Sequence, residues 1–314
     1  MNKYFAAIDM GTNSFHLIIV EVKKDGKFKI IDRDREVIRL ASRKGNELSI
    51  ISAEEIEKSV NIINRYVTLA KTYNAEIKAV ATSAIREATN RDDYVKTIFE
   101  RTGLQITVLN GKNEALLIFQ GIQKALNIED KNVICFDIGG GSSEIVYAQK
   151  SKIIISESIK IGAVRLSKKF FPDYIITEKA IKDCEAFIYN NLTSNFSLQK
   201  KLNFDIAVGT SGTIQSTASL ISFKKHKFPS SLNKYKFTHE EFINIFLEVI
   251  SHKSLKERMN IPGIEQRRAD ILPAGLIIMK VLFEYFDVKE MIISEYALRE
   301  GVVLDMLYSQ AEYP

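Results

Sequence analysis

Residues 134–148 read ICFDIGGGSSEIVYA. An apolar run ends at Asp137, turns through Gly139, Gly140 and Gly141 with Ser142 and Ser143 behind them, and then resumes. Strand-like flanks on both sides of a glycine-bearing turn specify a β-hairpin. Glycines let a ligand come close to the backbone, so that successive N–H groups converge on an anion. A carboxylate at the strand end is a hard oxygen ligand for a divalent cation or for its water. The stretch therefore couples phosphate-holding amides to a metal-holding acid.

The same pattern stands earlier in the chain. Residues 5–22, FAAIDMGTNSFHLIIVEV, align without a gap on residues 133–150, VICFDIGGGSSEIVYAQK. Asp9 matches Asp137, Gly11 matches Gly139, Asn13 matches Gly141 and Ser14 matches Ser142, at an offset of 128 residues. That spacing far exceeds a solenoid period and approaches one domain, so the repeat is a duplicated unit. One glycine turn is ordinarily just a hairpin; two copies led by aspartate point to a shared ligand chemistry. GGGSSE lacks the third glycine of the dinucleotide fingerprint and runs into a strand instead of a helix, and the phosphate-loop NTPase motif is absent from the sequence.

Composition bounds the rest. At 314 residues, 46% hydrophobic and 26% charged, the chain predicts a globular protein of two domains. Its net charge of +5 is spread along the sequence and shows no basic stripe or arm, so nucleic acid is not an expected partner, whereas a polyanionic ligand suits the excess. Asp9 cuts the first apolar run, and no segment approaches the ~18 apolar residues of a membrane span. The expectation is a cytoplasmic protein with no membrane partner. Cys135 and Cys184 have no metal spacing and read as buried free thiols. His16, His226, His239 and His252 show neither metal spacing nor a nucleophile partner. His16 shares a strand face with Ser14 and Ile18, which gives it a structural or supporting role. Residues 222–237, SFKKHKFPSSLNKYKF, read as a solvated basic loop whose aromatic residues would also suit contact with a polyanion.

Four further motifs carry candidate chemistry. In LNGKNEALLIFQG (109–121), Asn110-Gly111 marks a turn and the apolar spacing predicts a helix beginning near Glu114. An acid in a first turn complements the helix dipole, so Glu114 is either a dipole partner or a functional carboxylate. AVATSAIREATN (79–90) reads as strand, Thr-Ser cap and helix; Arg86 is a surface ion-pair partner or a fork for phosphate oxygens. DIAVGTSGTIQSTASL (205–220) repeats strand, glycine turn and helix, leaving Gly209, Ser211, Gly212 and Thr213 near a helix N-terminus. EQRRADILPAGLIIMKVLFEYF (265–286) sets two arginines ahead of a buried helix. Arg268 and Asp270 read as a structural pair, the functional alternative being Arg267 or Arg268 as the cation for a chain of phosphates, of which Arg267 is chosen.

Together with EYALREGVVLDML (295–307), these segments resemble, in order, the motifs of the exopolyphosphatase and guanosine pentaphosphate phosphatase family, in its two-domain form. The wider resemblance is to the superfamily of acetate and sugar kinases, heat-shock chaperones and actin. It implies an α/β fold of two ribonuclease-H-like (actin-like ATPase) domains, each with a mixed five-stranded sheet flanked by helices, and an active site in the cleft between them. The domains would span 1–122 and 123–295, with a last helix, 296–310, returning to the first.

The implied reaction is metal-dependent hydrolysis of the terminal phosphoanhydride of inorganic polyphosphate, with guanosine pentaphosphate as the alternative substrate. The resemblance makes Glu114 the residue that activates water. Asn113 stands where the family often has a second acid. Arg86 would stabilise transition-state charge, and Asp9 and Asp137 would hold Mg2+ or another divalent cation. Amides of Thr12, Asn13 and Ser14, and of Gly139, Gly140, Gly141, Ser142 and Ser143, would position phosphate oxygens. Gly209, Ser211, Gly212 and Thr213 would line the phosphate site, with Thr-Ser-Gly replacing the Gly-Gly pair of the nucleotide binders. A homodimer is implied as well. A kinase, which would transfer phosphate from ATP, and an actin-like filament or chaperone module, which would release none, are the rival readings.

Overall fold

Each hairpin seeds a sheet. The computed structural model describes residues 3–23, 26–40, 50–196, 202–228 and 231–311. It divides into two units, Met1–Gly121 with Tyr296–Pro314, and Ile122–Glu295.

In the first unit β1 (Lys3–Met10) pairs antiparallel with β2 (Ser14–Val22), and β2 with β3 (Phe28–Val37). The chain then crosses over through α1 (Ala53–Thr72) to β4 (Glu76–Ala81), which lies parallel to β1. A capping box between Ser52 and Glu55 starts α1 by satisfying orphan amides at its first turn. Helices α2 (Ser83–Glu87) and α3 (Arg91–Thr102) lead to β5 (Ile106–Val108), parallel to β4 and followed by α4 (Gly111–Ala125). Phe5, Ala6, Ala7 and Ile8 are all fully buried, as a near-continuous apolar run in a strand covered on both faces requires.

The second unit repeats that order. β6 (Asn132–Ile138), β7 (Ser143–Gln149) and β8 (Lys152–Ile159) form the antiparallel part. Helices α5 (Ala163–Phe170) and α6 (Glu178–Asn195) precede β9 (Ile206–Thr210), which lies parallel to β6. Then come α7 (Ser211–Lys224), β10 (Lys236–Thr238), α8 (His239–Ser251), α9 (Leu255–Met259), α10 (Leu272–Phe286) and β11 (Glu290–Ile293). The final helix, α11 (Leu298–Ala311), packs against β1 and groups with the first unit.

The sheet orders are β3-β2-β1-β4-β5 and β10-β11-β9-β6-β7-β8. Matching β6 to β1 brings β7, β8, β9 and β11 onto β2, β3, β4 and β5, so the duplication seen in sequence extends through the whole sheet. This is the expected α/β architecture with one correction. The second sheet has six strands, because Lys236, Phe237 and Thr238 pair with β11. Two of these belong to the stretch read as a solvated loop; Phe237 is 1% exposed and part of the core, which holds the segment in place. Cys135 and Cys184 are buried and free. Burial pushes both thiols up, that of Cys184 to about 12. Among the described residues no helix is long and apolar enough to cross a membrane.

Candidate active site

The two turns are closed by the same bond. The Gly11 amide donates to the Ser14 carbonyl at 3.2 Å, and the Gly139 amide to the Ser142 carbonyl at 3.0 Å. Gly139's own N–H therefore serves the turn, and the donors left to a ligand in the second turn are those of Gly140, Gly141 and Ser142. Among the described residues these three amides donate to no acceptor. In the first turn the Thr12 hydroxyl and both ends of the Asn13 side-chain amide are buried without a hydrogen-bond partner. Buried polar groups are ordinarily paired, and an unpaired one costs about 1–3 kcal/mol, so this cluster has bonding capacity left for a ligand or water. The hydroxyls of Ser142 and Ser143 are engaged within the protein, with Glu144 and the Ile161 carbonyl.

Strand register sets the neighbours of each aspartate. Asp9 lies opposite His16, and Asp137 opposite Glu144; directly opposed residues share a face and touch. Glu144 is 3% exposed and accepts from the Ser142 and Ser158 hydroxyls, each at 2.7 Å. The second turn thus carries two carboxylates side by side. Its sequence signal is position alone, since Glu144 and Asp137 stand at equal distances from the turn. In the first hairpin the same place holds His16, whose ring nitrogens meet the Ser14 hydroxyl at 2.8 Å and Arg299 at 3.3 Å.

Glu114 sits in the first unit on α4. The helix begins at Gly111, three residues earlier than its apolar spacing predicts, because the Asn110 side chain accepts from the Asn113 amide at 2.8 Å and caps it. Glu114 is 5% exposed and pairs with Arg86, whose Nη1 lies 2.5 Å from its Oε2 and 3.1 Å from the Leu109 carbonyl. Arg86 comes from α2, a helix whose cap residue, Thr82, makes no side-chain cap bond. The structure therefore joins the two residues that the sequence reading treated separately: the guanidinium fixes the orientation of the carboxylate.

The remaining loop divides its candidates. Helix α7 starts directly at Ser211, with no turn after β9 and with φ of +73° at that residue. The Ser211 hydroxyl is bound to the amide and carbonyl of Ile138, tying the loop to the end of β6. Thr210, in register with Asp137, is fully buried with its hydroxyl unpartnered. Gly209 and Thr213 are packing positions, for a methyl on Gly209 would meet Met291 and Ile214, and Thr213 fills the space beside Gly275. The guanidinium of Arg268 lies directly on Gly212, where any side chain would collide with it. Arg267, chosen from the sequence, is 61% exposed at its side chain and ion-paired to Glu265. Arg268 also lies 3.1 Å from Glu265. Adjacent arginines in one tight helical turn point different ways, and no sequence period predicts which faces the loop.

A model of the Ppx/GppA phosphatase family matches residues 18–310. The chain belongs to that family. Among solved structures, a Ppx/GppA family member from Aquifex aeolicus is 27% identical with a TM-score of 0.81, each chain covered to 99%. An exopolyphosphatase from Cytophaga hutchinsonii shares the fold at a TM-score of 0.90 and 24% identity over 98% of each chain. A bifunctional 3-dehydroquinate synthase/phosphatase of Fusobacterium nucleatum is 30% identical over 96% of this chain. This Ppx/GppA chain spans 46% of that relative's length.

Among the described residues no group of three or more His, Cys, Asp and Glu side chains gathers as a metal cage. A carboxylate is a hard oxygen donor of the kind a divalent cation takes. Asp137, beside Glu144, offers that chemistry in the second unit, and Asp9 offers it in the first.

Proposed function

We propose that this Ppx/GppA family member is an exopolyphosphatase, hydrolysing the terminal phosphoanhydride of inorganic polyphosphate to release orthophosphate. The observation that carries this reading is the pair of like-built Asp-Gly turns, one with three undonated backbone amides and the other with buried, unpartnered Thr12 and Asn13 side-chain atoms. Both turns serve the same substrate in this account, their donors taking the oxygens of the terminal phosphoryl group. Magnesium held through Asp137 and Asp9 would neutralise part of the substrate's charge. Glu114, kept in place by Arg86, accepts a proton from the attacking water as the new P–O bond forms. The bridging P–O bond breaks and its electron pair stays on the shortened chain. Because the transition state of such transfers is loose, positioning and electrostatics supply most of the catalysis. Arg86 and Arg268 contribute positive charge to it.

The test is phosphate release by the purified protein with magnesium, offered long-chain polyphosphate, tripolyphosphate, guanosine pentaphosphate and ATP side by side. Polyphosphate is expected to be the best substrate. Faster release from guanosine pentaphosphate would reassign the substrate within the family, and release from none would overturn the reading. The same account takes the protein as a cytoplasmic homodimer; light scattering at twice the chain mass checks the dimer.

A further inference from the structure

In the second unit the turn's carbonyls all face one element. The Ala163 amide donates to the Gly139 carbonyl at 2.9 Å, and the Val164 and Arg165 amides donate to the Gly140 carbonyl at 2.9 and 3.0 Å. The Arg165 side chain donates from Nε to the Gly141 carbonyl at 2.7 Å. These amides belong to the first turn of α5, whose N-cap, Gly162, offers no capping side chain. The orphan donors of a helix start need acceptors, and here the glycine turn provides them. Contact is close enough that a methyl group on Gly162 would lie 2.4 Å from backbone atoms of Gly140 and Gly141.

A trans peptide is planar, with its C=O and the following N–H pointing in opposite directions. Carbonyls of Gly139, Gly140 and Gly141 directed at α5 therefore turn the amides of Gly140, Gly141 and Ser142 to the other side of the loop. The backbone of α5 fixes the first two peptides. It cannot reach the third, and the arginine side chain does. Glycine resists such ordering more than any other residue, so a run of three needs an external brace to keep its amides parallel.

We infer that Arg165 is a positioning residue: through the Gly141 carbonyl it aims the Gly141–Ser142 peptide, and with α5 it holds three convergent amides ready for a phosphate. The residue is 9% exposed, and its side chain acts from behind the loop. This inference rests on the phosphate-binding role given to the turn above.

The test is an NMR titration of the whole chain, labelled with 15N-glycine and 15N-serine, with inorganic phosphate at several salt concentrations. In the wild-type protein the Gly140, Gly141 and Ser142 amide signals are expected to move together. In Arg165→Met the apparent Kd is expected to rise about tenfold, less than the roughly 10²–10³ that losing an oxyanion donor outright costs in rate. The melting temperature should shift by only a few degrees, and the salt slope of log Kd should stay unchanged, because no phosphate-touching cation has been removed. Gly162→Ala, which displaces the same loop without touching the arginine, should give the same signature.

An unchanged Kd in Arg165→Met would overturn the inference. So would a weaker Kd with a salt slope smaller by about one, the mark of an arginine that contacts phosphate directly. Three wild-type amides that ignore phosphate would overturn it too. If Arg165→Met does not fold, Arg165→Lys, which keeps one donor, is read by the same criteria with a smaller rise. Amides that respond in a protein releasing no phosphate from any polyphosphate would sink the proposed function and leave the positioning role standing.

Discussion

The two Asp-Gly hairpins share strand order, closing bond and register, yet they differ in the side chains that the turn carries. The first adds buried, unpartnered side-chain groups of Thr12 and Asn13 to its backbone amides; the second has glycines there and only backbone amides to offer. Their braces differ as well. The Asn13 carbonyl accepts from the amides of Ile38 and Arg39 just beyond β3, whereas α5 and Arg165 hold three carbonyls of the second turn. Beside the aspartate stands His16 in one copy and Glu144 in the other. The two copies thus keep one scaffold and differ at a few positions beside the turn.

The helices that follow the two sheets sharpen the contrast most. Each carries a buried glutamate near its start: Glu114 in α4 is bound to Arg86, and Glu300 in α11 accepts from the Ala297 amide at 2.8 Å. Only the second is a capping interaction. Glu114→Gln is expected to lower kcat by about 10²–10⁴ and, since it leaves the Arg86 charge facing a neutral amide, to lower the melting temperature as well. Glu300→Gln should weaken the fold by about 1 kcal/mol and leave kcat near normal. Initial rates and thermal melts on both variants check this, and equal effects on activity would erase the distinction.

Between the aspartates the expected difference is smaller. Asp137→Asn should reduce kcat/KM by roughly 10²–10³ and raise the magnesium concentration needed for half-maximal rate, with Asp9→Asn milder on both counts. Asp137 has Glu144 at its side, whereas Asp9 has a histidine. Rates measured across a magnesium series decide the order, and a larger effect at Asp9 would invert the roles given to the two turns.

Thr12→Val and Ser142→Ala probe the donors themselves. The first removes a buried, unpartnered hydroxyl, so it should cost activity about fivefold, one hydrogen bond's worth, while stability holds or rises. The second strips Glu144 of a partner, so stability should fall. Smallest of all is Cys135→Ala, which gives β6 the residue that β1 carries at the matching position, Ala7. Activity should be unchanged, and both buried thiols of the native protein, held neutral by desolvation, should resist alkylation until the chain unfolds.

Much of this comparison is readable in the sequence, because a strand, an aspartate and a glycine turn are local features that repeat with a fixed offset. Glu114 and Arg86 stand out as candidates through the resemblance of their motifs to the family, since their residue types alone leave a structural reading open. Their mutual bond is not readable in the sequence, since it joins residues 28 positions apart through the packing of two helix starts. Glu144 escapes notice because its meaning lies in cross-strand register. Arg268 is distinguished from Arg267 only by which side of a tight turn meets Gly212. The brace from Arg165 is hidden for a further reason: it works through a carbonyl, and sequence patterns do not show where backbone carbonyls point. Phe237 illustrates the limit on the fold side, where a short strand inside a basic segment is fixed by one buried ring.

A crystal structure of Glu114→Gln soaked with tripolyphosphate and magnesium tests the central claim most directly. The account predicts a terminal phosphoryl group within hydrogen-bonding distance of the Gly140, Gly141 and Ser142 amides and of Thr12 and Asn13. A chain bound elsewhere, touching only one of the two turns, would contradict it.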